Sequence, residues 1–82
     1  MSMLLKNLAQ LKIGEKAVIS SFSDNHIALR LLEMGCTPGE VIEIDRIAPL
    51  GDPIAVLVSG YLLSLRKADA ATIMVSLPVV NN

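Results

Sequence analysis

The chain has 82 residues, a formal net charge of −1 from seven basic and eight acidic side chains, 52% apolar residues and 18% charged ones. A chain of that length holds one domain. An apolar share above the usual ~45–50% and a charged share below ~25% rule out intrinsic disorder, which needs low hydrophobicity and high net charge. The near-balance of charge argues against nucleic acid as a partner, because phosphate binding needs a basic surplus. With Phe22 and Tyr61 as the two aromatic residues, there is neither a base-stacking platform nor an aromatic groove for proline-rich peptides.

Residues 1–11 read as a lead-in with a turn or two of helix, because Leu4, Leu5, Leu8 and Leu11 fall at helical spacing. Gly14 then breaks the chain. Residues 15–22 predict a strand, with β-branched Val18 and Ile19 favouring a pleated surface. The spacing predicts a helix over 24–34, with Ser23 or Asp24 as its N-cap. Ile27, Leu31 and Met34 share one face, and His26, Arg30 and Glu33 the opposite one. Gly35 stands where a left-handed C-terminal cap is wanted. Residues 37–40, Thr-Pro-Gly-Glu, suit a type II turn.

A second strand is expected from Val41 to Ile47, with Ile42 and Ile44 inward and the alternation imperfect at Val41 and Ile47. A loop with two prolines and a glycine follows at 48–53. Residues 54–58, the longest strongly apolar stretch, are apolar on both faces, as in a central strand. Ser59-Gly60 closes a hairpin into the strand 61–66. Residues 67–71 allow one helical turn, 73–75 a last strand, and Pro78 ends the ordered part. About five short strands and one helix predict a mainly β fold: a small barrel with the helix packed across it. The domain is expected to span 1–82, with its core at about 8–76 and a tail at 77–82.

No stretch approaches the ~20 apolar residues of a membrane helix. Residues 1–6 have neither a long apolar run nor a small-residue cleavage site. Cys36, the one cysteine, excludes an internal disulfide, and a reducing cytoplasmic location is expected.

No enzyme is legible in the residue chemistry. The single histidine, His26, and Cys36 lie ten residues apart across one helix, about 15 Å along its axis. They form neither a nucleophile–base pair nor a shared zinc site. A metal bridging two chains through His26 or Cys36 is the residual metal role, and no cofactor is expected. The scattered glycines fit no phosphate loop. Glu43 and Asp45 on one strand face, and the basic spot of Arg46, Arg66 and Lys67, read as solvated surface. A binding module remains. Its candidate contact residues are Leu29, Arg30 and Leu32 on the helix flank and Pro49 and Leu50 at a loop tip. Arginine beside apolar anchors is typical of interfaces, and a proline-stiffened loop presents apolar surface at low entropy cost. A homo-oligomer is another use for such a surface.

Three blocks carry a resemblance: Arg30-Leu31-Leu32-Glu33-Met34-Gly35-Cys36-Thr37-Pro38-Gly39, then Ala48-Pro49-Leu50-Gly51-Asp52-Pro53, then Leu63-Ser64-Leu65-Arg66-Lys67. In order and spacing the sequence resembles the FeoA domain family from about Leu8 to Val75. The resemblance implies an SH3-like barrel, a cytoplasmic location and an accessory role in ferrous iron uptake. It also implies a partner, FeoB, a membrane transporter with a cytoplasmic GTPase domain, so that contact with the membrane runs through the partner. The same fold forms the C-terminal domain of iron- and manganese-dependent repressors, and a metal-sensing or metal-binding domain is the alternative reading. The chain lacks the winged-helix and dimerisation parts of such a repressor, so a stand-alone accessory protein fits better. Cys36 stands where the family often has a larger aliphatic residue, and Ser64 where alanine is common. The matching residues are mostly glycines, prolines and apolars, so the resemblance transfers no catalytic residue.

Overall fold

A computed structural model describes residues 3–78. Six strands form one antiparallel sheet: β1 (Met3–Asn7), β2 (Lys16–Phe22), β3 (Val41–Ile47), β4 (Ile54–Val58), β5 (Tyr61–Leu65) and β6 (Ile73–Pro78). Their spatial order is β1-β6-β2-β3-β4-β5. Two helices interrupt them, α1 (Asn25–Met34) and the single turn α2 (Lys67–Ala70), with a 3-10 turn at Leu8–Gln10. The fold is the expected small, barrel-like, mainly β one with a helix, with two differences. Among the described residues there are six strands, and the sheet is not closed: β1 and β5 remain as edges.

Among the described residues the core is wholly apolar. Ala17 and Ile19 of β2, Ile42 and Ile44 of β3, Val56 and Val58 of β4 and Val75 of β6 are buried together with Leu8, Leu31 and Cys36. Each of these strands turns alternate residues inward, the period-2 pattern of a one-sided sheet. The imperfect alternation of β3 has a structural cause. Ile44 pairs with Val56 but Arg46 pairs with Ala55, so Asp45 is an extra residue, a bulge that resets the inward face. A second bulge lies in β2 between Ile19 and Ser21. It leaves Phe22 packed against the core.

Helix α1 is built by its ends as much as by its apolar face. The Asp24 carboxylate accepts a hydrogen bond from the His26 N–H at 2.9 Å, satisfying one of the free N–H groups of the first turn. At the other end Gly35 takes φ 107°. The Cys36 N–H then donates to the Leu31 carbonyl at 2.9 Å and the Gly35 N–H to the Leu32 carbonyl at 3.0 Å, which is the Schellman arrangement. An added Cβ at Gly35 meets no atom within 4 Å, so substitution there acts through backbone strain alone. Gly35→Val is expected to destabilise by more than about 1 kcal/mol. For a domain of this size that lowers the melting temperature by roughly 4–8 °C. An unchanged thermal melt would contradict the cap.

The turn at 37–40 closes as expected, with Gly39 at φ 96° and the Glu40 N–H on the Thr37 carbonyl at 3.0 Å. The hairpin of β4 and β5 carries Ser59 at φ 51° and Gly60 at φ 79°, the two positive values of a type I′ turn. Three expectations need correction. The lead-in is not helical: residues 3–7 form β1, which pairs with β6 from Met3↔Pro78 to Asn7↔Met74, and only Leu8–Gln10 turns. The final strand likewise runs past Val75 to Pro78. And β4, though central, is not buried on both faces, because Leu57 is exposed on the outer one.

Candidate functional site

The short helix α2 organises the surface on which the sequence places its contact residues. On one side, the Asp52 carboxylate accepts the Lys67 backbone N–H at 2.9 Å, which fastens the loop 48–53 to the start of α2. The loop is also closed on itself, with the Gly51 N–H on the Ala48 carbonyl at 2.7 Å and the Ala48 N–H on the Pro53 carbonyl at 3.1 Å. At its tip Leu50 is 96% exposed, with Pro49 exposed beside it.

On the other side, the Asp69 carboxylate takes the Arg30 guanidinium of α1 at 2.9 Å and Arg66 Nε at 3.4 Å. Helix α1 is held to the same region a second time, by the Ser23 N–H on the Thr72 carbonyl at 2.8 Å. Lys67 and Asp69 are two residues apart on one helical turn, about 3 Å of axial rise. The loop and α1 are therefore both hydrogen-bonded to the same short turn, α2.

Helix α1 buries Leu31 and seats Ile27 and Met34 against the core. That rotation leaves Leu29 66% exposed and Leu32 39% exposed. The five expected contact residues thus stand on the two elements attached to α2: Leu29, Arg30 and Leu32 on α1, Pro49 and Leu50 on the loop. Arg30 is not a free cation, being engaged by Asp69. It steadies the flank on which Leu29 sits.

The sequence reading gave Asp69 and Asp52 no role and took Lys67 only as part of a solvated basic spot. Arg30 and Asp69 are 39 residues apart, and no local pattern links them. Because Arg30 and Arg66 are both largely exposed, the cluster adds little stability. Asp69→Asn is expected to cost about 0.5–1 kcal/mol. In a double-mutant cycle with Arg30→Gln the coupling should fall within that range, read from urea midpoints. Zero coupling would mean that the pair does not hold α1.

The remaining candidates stay apart. His26 is exposed on the first turn of α1 while Cys36 is fully buried beyond its end. Burial pushes the Cys36 thiol above its ordinary pKa, so it stays protonated and a poor metal ligand. Among the described residues no three His, Cys, Asp or Glu side chains group as metal ligands. Glu43 faces Lys16 across the β2–β3 ladder at 4.0 Å. Of the basic spot, Arg66 is drawn onto Asp69, and Arg46 stands exposed on β3. Among the described residues no helix is long and apolar enough to cross a membrane.

The FeoA domain family model matches residues 6–77. A Porphyromonas gingivalis protein, described as an Fe(2+) transport protein A/Fe(2+) transporter FeoB fusion, is 39% identical over 71 residues. Those residues are 85% of this chain but 8% of that protein's length. The solution structure of a FeoA-like protein from Clostridium acetobutylicum superposes with a TM-score of 0.86 at 31% identity, covering 100% of this chain and 95% of that one. The zinc-complexed FeoA of Stenotrophomonas maltophilia, a prokaryotic SH3-domain protein, superposes with a TM-score of 0.74 at 32% identity over 84% of this chain and 87% of that one. The open six-stranded sheet with its capped helix is thus the SH3-like fold of these proteins. With the family pattern running from β1 to β6 and the fold matching over its full extent, the chain belongs to the FeoA domain family.

Proposed function

We propose that this chain acts as an accessory domain of ferrous iron uptake. It works in the cytoplasm by binding the cytoplasmic part of a FeoB-type transporter, through its GTPase domain or the region next to the membrane. It acts by contact rather than catalysis. The contact is made by Leu29, Arg30 and Leu32 of α1 together with Pro49 and Leu50. The observation that carries the reading is the pair of exposed leucine sites held on either side of α2. In the Porphyromonas gingivalis relative the two activities share one polypeptide, and such a tether raises the effective concentration of a weak contact. A standard interface takes about 800 Å² from each side, a large share of a molecule with 5216 Å² of accessible surface. A smaller, reversible contact suits it better.

The test is a titration of a detergent-solubilised FeoB-type transporter from the same organism with this chain. Saturable, reversible binding with a dissociation constant of about 1–100 μM is expected. No binding at several times that concentration would contradict the reading.

A further inference from the structure

Among the described residues, the strand β5 is an unprotected edge. Sheet edges are usually guarded by charges, proline or a bulge, yet β5 reads Tyr-Leu-Leu-Ser-Leu and pairs with β4 without a bulge. The opposite edge, β1, carries Lys6. Arg66, which follows β5, is turned onto Asp69 and does not guard it. Tyr61 and Leu62 are both exposed, Leu62 at 62%, and Leu57 lies exposed directly opposite Leu62.

The hairpin geometry fixes which backbone groups are free. In a two-residue type I′ hairpin the flanking residues, here Val58 and Tyr61, exchange both hydrogen bonds. Tyr61, Leu63 and Leu65 therefore bond to β4, and Leu62 and Ser64 direct their N–H and C=O groups to the open side. We infer that β5 pairs antiparallel with β5 of a second copy of this chain, about a two-fold axis at Leu63, to form a continuous twelve-stranded sheet. Leu62 of each copy then exchanges hydrogen bonds with Ser64 of the other, four in all. The occupant follows from self-complementarity. In this register each bulky Leu62 faces a small Ser64, Leu63 meets Leu63, and no charged residue of residues 61–65 faces another. Five residues per side make a small interface, so the dimer is weak, with a dissociation constant of about 0.1–1 mM.

The test is amide hydrogen exchange on the nitrogen-15-labelled chain at about 20 μM and about 1 mM, with sedimentation equilibrium over the same range. The Leu62 and Ser64 amides should exchange about two- to fourfold more slowly at the higher concentration, the outward amides of β1 should not change, and the average mass should rise to about 1.5–1.8 times that of the monomer. Leu62→Lys, at an exposed side chain, and Ser64→Pro, which removes one outward donor, should each abolish the concentration dependence. Rates independent of concentration would overturn the proposal. So would slowing confined to β1, or slowing at both edges, the signature of head-to-tail addition.

Discussion

Leu31→Ala should destabilise the chain by about 3 kcal/mol or more, within the ~2–5 kcal/mol range of Leu→Ala changes in a core. At roughly 4–8 °C per kcal/mol for a domain of this size, the melting temperature falls by about 12–24 °C. Leu31 is the one fully buried residue of α1, and it enters a core shared with β-strand residues that are themselves fully buried. Those residues are pinned by ladder hydrogen bonds and cannot move in to fill a void. The Leu31 carbonyl also receives the Cys36 N–H, so its side chain and its backbone secure the same end of the helix. Calorimetry would measure the loss. A change below about 1 kcal/mol would mean that α1 is seated by other contacts.

The second large effect concerns binding. Leu29→Asp combined with Leu50→Asp should weaken transporter binding at least ~10-fold while leaving stability within about 0.5 kcal/mol of the parent. Both side chains are largely exposed, so neither substitution buries a charge in the free protein. In a complex each would carry an unpaired carboxylate into a desolvated surface. The two sites are attached to α2 independently, one through Asp52 and one through Asp69, so each single variant should show part of the loss. A double variant that stays folded and binds as the parent does would place the contact elsewhere on the molecule.

Much of this arrangement is legible in local sequence. The Asp24 cap, the apolar face of α1, Gly35 at its end, the turn at 37–40 and the I′ hairpin at Ser59-Gly60 depend on residues within a few positions of one another, and the structure realises each. The exposure of Leu29 and Leu32 follows from the same helical spacing once Leu31 faces inward. What was not legible depends on distant partners. β1 has exposed Leu4 and Leu5 side by side, with no alternation to mark it. Its strand character comes from pairing with β6, some seventy residues away. The bulge at Asp45 shows only as a broken alternation, and nothing local says whether the break marks a bulge or the strand's end. The attachment of the loop and α1 to α2 rests on Asp52–Lys67 and Arg30–Asp69, contacts that spacing cannot reveal. The open edge at β5 is likewise a property of strand order.

The central claim is that the transporter contacts the surface on either side of α2. Chemical-shift mapping tests it most directly. The nitrogen-15-labelled chain is titrated with the transporter's cytoplasmic domain, and the amide resonances are followed residue by residue. The expected result is saturable shifts or broadening concentrated at Leu29, Leu32 and Leu50 and through α2, with β1 little changed. Perturbation centred on the outer face of β3 and β4, with α1 and the loop 48–53 silent at saturation, would contradict it.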